Sequence, residues 1–88
     1  MDRIETTVQL GRDNNYICGI IFSYIKKPTF DALADFMNVK FYRENIRSRI
    51  VYDFNYNYYI VELHGSSITN VLCARYQVIE FLKRGWLS

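Results

Sequence analysis

The chain has 88 residues, enough for one domain and too few for two, so residues 1–88 are expected to form a single compact unit. Half of its residues are hydrophobic and fifteen are Tyr, Phe or Trp, a content that excludes a disordered chain. Eleven basic residues against nine acidic ones leave a formal charge of +2, too mild to announce nucleic acid unless the cations cluster.

The elements follow in chain order. Ile4, Thr6, Val8 and Leu10 alternate with Glu5, Thr7 and Gln9, a period of two that predicts a half-buried strand. Gly11 to Asn15 supplies turn residues that accept positive φ. Tyr16 to Ile25 is apolar on both faces and predicts a central strand, forming an antiparallel hairpin with the first. Either Tyr16, Cys18, Ile20, Phe22 and Tyr24 face outward, or Ile17, Ile21 and Ile25 do.

Lys26-Lys27-Pro28 stops that strand, and Thr29 is placed to cap a helix. Phe30, Leu33, Ala34 and Met37 share one stripe, which predicts about two helical turns ending near Asn38. Val39 to Asn45 reads equally as loop or short strand. Alternation resumes with Ile46, Ser48, Ile50, Tyr52 and Phe54 on one face and Arg47, Arg49, Val51 and Asp53 on the other. Asn55-Tyr56-Asn57 makes a turn, and Tyr58 to Leu63 returns as a partner strand. Gly65-Ser66-Ser67 breaks the strand and caps a long helix, Ile68 to Arg84, with Gly85 at its stop and Trp86 and Leu87 folding back onto the core. The fold class is therefore α+β: ββαββα, a four-stranded, mostly antiparallel sheet with two helices packed on one face.

Cys18 and Cys73 lie far apart in apolar neighbourhoods and are expected as buried, reduced thiols. No phosphate loop, nucleophile elbow, metal-ligand spacing or paired carboxylates can be found. The expectation is a protein that is not an enzyme and takes no cofactor or metal. His64, at a strand end before a helix, is the one position where chemistry is conceivable, and its plainer role is closing the sheet. The charged start and the longest uncharged run, about 12 residues from Asn14 to Ile25, predict no leader peptide and no membrane partner. A cytoplasmic protein is expected.

Charge is uneven along the chain. Lys40, Arg43, Arg47 and Arg49 stand against Glu44 alone, and Tyr56, Tyr58 and Tyr59 follow across the second hairpin. Arginines hold phosphates and tyrosines stack on bases, so these seven residues form a candidate nucleic-acid contact, with DNA or RNA as partner. The plainer role for such cations is a solvated sheet edge. The aromatic surplus and the doubly apolar strand point also to a homodimer, or to a host protein bound as by an inhibitor or adaptor. Frequent Asn, Tyr and Ile fit an AT-rich phage, virus or mobile element. From Tyr16 to Leu82 the element order and the basic, Tyr-bearing hairpin before a helix are similar to a LAGLIDADG homing-endonuclease half. That resemblance implies DNA reading by the sheet without cleavage, because the helix carrying the family's catalytic acids has no counterpart and Tyr16 to Ile25 contains no acid.

Overall fold

The computed structural model describes residues 4–23 and 25–87, the side chains of Arg12 and of 85–87 excepted. Strand β1 (Glu5–Leu10) pairs antiparallel with β2 (Tyr16–Phe22), from Glu5 opposite Ile21 to Leu10 opposite Tyr16. The turn between them places Asp13 and Asn14 at φ 58° and 59°, which short polar side chains tolerate. Helix α1 (Lys27–Arg43) leads to β3 (Arg47–Asp53), and β3 turns into β4 (Tyr58–Gly65) before the final helix α2 (Ile68–Leu87). The sheet order is β1-β2-β4-β3 with every pairing antiparallel. This is the expected ββαββα architecture.

Both helices cover the same face. Cys18, Ile20 and Phe22 of β2 and Val61 and Leu63 of β4 point into one core. They meet Leu33, Met37 and Phe41 of α1 and Val71, Ala74, Val78 and Leu82 of α2. Phe36 stacks on Phe81 at 5.4 Å and ties the two helices together. Burial pushes the Cys18 thiol up, which suits an inert core thiol. The face of β2 that turns outward is the one carrying Ile17 and Ile21, both half-buried. Ile25 lies past the strand, buried where the chain enters α1, and Tyr24 falls outside the described residues.

Several expectations need correction. Helix α1 starts before Thr29, with Lys26 as its N-cap and Pro28 in the first turn, where its missing N–H costs nothing. It also runs past Asn38, because Phe41 continues the buried stripe of Leu33 and Met37. Its end is a Schellman motif: Asn45 takes φ 57°, the Ile46 N–H donates to the Phe41 carbonyl at 3.0 Å, and both side chains are buried. The stretch after Val39 is thus helix and cap rather than loop or strand.

Helix α2 is capped by Ser67, whose Oγ accepts from the Asn70 N–H at 3.3 Å, and it continues through Gly85 to Leu87. No described glycine has positive φ, and a mid-helix glycine costs only about 1 kcal/mol. The expected anchoring by Trp86 and Leu87 lies outside the described side chains. Strand β1 is exposed along its whole length instead of half-buried, since α2 lies over β2 and β4 and does not reach the edge. Cys73 is exposed, because two residues past Val71 a helix has turned to its opposite side. No described helix is long and apolar enough to cross a membrane.

The extended α1 makes a prediction. Val39 is 61% exposed, so Val39→Pro removes little packing but breaks a mid-helix hydrogen bond. Urea unfolding should show a loss of about 3 kcal/mol. A loss below about 1 kcal/mol would mean the helix ends near Asn38.

Candidate nucleic-acid interface

The face without helices is assembled by strand register. Reading across it, Gln9, Ile17, His64 and Arg47 form one row, and Thr7, Gly19, Glu62 and Arg49 the next. Glu5, Ile21, Ile60 and Val51 form a third row, and Tyr58 faces Asp53 beyond it. Side chains alternate along each strand, so the same pairings that bury Val61 and Leu63 turn these residues outward. The face therefore carries a polar end, an apolar middle and an aromatic tip.

At the polar end, Glu62 joins Arg49 and His64. Arg49 Nε donates to Glu62 Oε1 at 2.8 Å and a terminal Arg49 nitrogen donates to Oε2 at 3.1 Å, a bidentate pair. His64 Nε2 lies 3.2 Å from the same Oε1. The hydrogen bonds from Arg49 hold the Glu62 carboxyl below the usual carboxylate range; partial burial opposes them and His64 adds to them. The same pair raises the Arg49 guanidinium. Arg47 stands opposite His64 and meets no carboxylate in an ion pair among the described residues. Together with Ser48 these four side chains line a shallow depression of about 270 Å³.

The aromatic tip is held in shape by its own polar groups. Asp53 Oδ1 accepts the Asn55 N–H at 2.9 Å and the Tyr56 N–H at 3.3 Å. The Asn57 N–H donates to the Asp53 carbonyl at 2.8 Å, with Asn57 at φ 56°, and the Tyr52 hydroxyl donates to Asn57 Oδ1 at 3.2 Å. On this frame Tyr56 stacks against Tyr58, ring centres 5.8 Å apart and planes within 23°. Tyr56 is 72% exposed, and Phe54 is 83% exposed beside Tyr52.

The seven expected contact residues divide into three groups. Arg47, Arg49 and Tyr58 share the open face, with Tyr56 stacked at its end. Tyr59 points the other way, packed on Phe22 at 5.4 Å and on Phe30 and Tyr52, so its ring belongs to the core side of the sheet. Lys40 and Arg43 sit on α1, in the helical layer behind the sheet. The Lys40 ammonium lies 5.9 Å from the Phe36 ring centre, and both residues border a groove with Ala32, Val39 and Asp35. Glu62 and His64 are the residues that the cluster reading missed. A turn centred on Tyr56 would pair Arg49 with Leu63, whereas the observed register is shifted by one residue and sets Arg49 against Glu62 and Arg47 against His64.

Compared with family models, curated proteins and solved structures, the chain matches none.

The Glu62 environment fixes the sign of a pH effect. A carboxyl with a lowered pKa adds stability above its unfolded value, near 4.3, and loses it as pH falls through the folded value. Glu62→Gln should therefore be less stable than the parent at pH 7, with the gap closing below about pH 4. Paired denaturation curves at pH 7 and pH 3 measure this, and a gap independent of pH would contradict it.

Proposed function

We propose that this protein is a non-enzymatic binding protein that holds single-stranded nucleic acid, DNA or RNA, across the open sheet face. The observation that carries the reading is the placement of Arg47, Arg49, His64 and Tyr58 on one helix-free face, with Tyr56 stacked on Tyr58. From the Arg47 row to the Tyr58 row is six residues of strand, about 20 Å, a span over which a four-stranded sheet displays two or three bases. Bases stack on the tyrosine pair, since every base has a π-face, while Arg47 and the outer edge of Arg49 meet phosphates. Glu62 fixes the direction of Arg49 and His64 before the ligand arrives, which limits the entropy lost on binding.

The electrostatic share is small. Arg47 and Arg49 share the face with Glu62, Asp53 and Glu5, so the face carries no surplus of fixed positive charge. Stacking then supplies most of the affinity, and single strands with accessible base faces are preferred over duplex. A second reading, a protein-binding module such as an inhibitor or adaptor of host machinery, draws on Ile17, Ile21, Ile60 and Val51 of the same face.

Fluorescence anisotropy with labelled ten-nucleotide strands tests the proposal. Tyr58→Ala should weaken binding by about 1–3 kcal/mol, roughly 5- to 150-fold. With two arginines on phosphates, log K should fall against log salt with a slope of about −1.4, and Arg47→Ala should remove about half of it. Tyr42→Ala, on the solvent side of α1, should change nothing. Absence of binding to single strands and duplex at low salt would reject the reading, and recovery of a protein partner from nuclease-treated lysate would then support the second one.

A further inference from the structure

The sheet has two edges, and they are finished differently. Strand β3 carries Arg47, Arg49 and Asp53 and has α1 packed against it, the usual protection of an edge. Strand β1, Glu-Thr-Thr-Val-Gln-Leu, has no Lys, Arg or Pro, and all six residues are exposed. Val8 is 39% and Leu10 63% exposed on the side facing the helices. Such an edge is a template for another strand.

The phase of its free hydrogen-bonding groups can be read from the turn. The Gly11 N–H donates to the Asn15 carbonyl at 2.6 Å, and this pair continues the β1–β2 register. Antiparallel ladders alternate, so Gln9, Thr7 and Glu5 direct their main-chain groups toward β2. Thr6, Val8 and Leu10 direct theirs to the open edge.

We infer that β1 pairs antiparallel with β1 of a second copy, joining two sheets into one of eight strands about a two-fold axis. A two-fold centred on Thr7 sets Thr6 against Val8 and Glu5 against Gln9. One centred on Val8 sets Thr6 against Leu10 and Thr7 against Gln9. Neither opposes like charges, and both use the edge amides of Thr6, Val8 and Leu10. A strand whose antiparallel copy is its own complement closes as a dimer, and the joined sheet then ends only in the two β3 edges that α1 and the arginines protect. The helices permit the approach. With α2 lying over β2 and β4, strands about 4.8 Å apart put the two α2 axes about 19 Å apart, more than the roughly 10–12 Å diameter of a helix. Val8 and Leu10 of the two copies then shield one another where no helix covers them.

Sedimentation equilibrium of the full chain tests this. An interface built mainly on one strand pair is small, so dissociation in the micromolar range is expected between loadings of about 10 μM and 1 mM. Val8→Pro deletes an amide that serves only the open edge, and should give a folded monomer at every loading. Val8→Lys, which keeps that amide but adds an edge charge, should do the same if the proline variant does not fold. A parent chain that stays monomeric at 1 mM, or a dimer that both folded variants retain, would overturn the inference.

Discussion

The register of the β3–β4 hairpin is the constraint on which the rest of this structure depends. Asp53 receives the amides of Asn55, Tyr56 and Asn57, and Asn57 takes the left-handed conformation that closes the turn. That turn sets Ile50 against Val61 and Arg49 against Glu62. A slip by one residue would send Arg47, Arg49 and Glu62 into the core and Val61 and Leu63 to water. Buried charge is far more costly than exposed valine, so the core enforces the same register as the turn. One constraint thereby builds both the hydrophobic layer and the open face.

Helix α1 and the two sheet edges complete the arrangement. The Schellman motif at Asn45 lets a buried phenylalanine end one element while a buried isoleucine begins the approach to the next. This delivers Arg47 to the start of β3 with its side chain outward. The β3 edge, with its two arginines, and the β1 edge, with no basic residue, then give the sheet a polarity. The arginine-bearing side stays open to ligand, and the side rich in threonine and valine is suited to strand pairing.

Much of this was legible in the residues. Alternation marked β3, the Asn-Tyr-Asn segment marked the turn, the β-forming run Tyr58 to Leu63 marked β4, and the order ββαββα followed. Adjacent strand residues must face opposite ways, so Tyr58 and Tyr59 could never serve one surface together. Tyr59 proved to be the one packed inward. Period-two reading gives parity but not position in the sheet, which is why β1 read as half-buried: nothing local says that α2 stops short of it. Similarly, the two-turn reading of α1 stopped near Asn38 because Phe41 lies among Lys, Tyr and Arg, and its burial depends on the Phe36–Phe81 layer. Lys40 and Arg43 joined the basic cluster by proximity in sequence, whereas the helix ending at Arg43 carries them to the other layer. The Arg49–Glu62 pairing was not legible, because a turn read as Asn55-Tyr56-Asn57 centres the hairpin on Tyr56 and shifts the register by one residue.

Titration of isotope-labelled protein with a ten-nucleotide strand, followed by side-chain NMR signals along β4, tests this account most directly. The Tyr58 and His64 rings and the Ile60 methyls should shift, while the Tyr59 ring and the Val61 and Leu63 methyls stay in place. Shifts concentrated on α1 around Val39 and Lys40, or equal movement of both sets along β4, would contradict it.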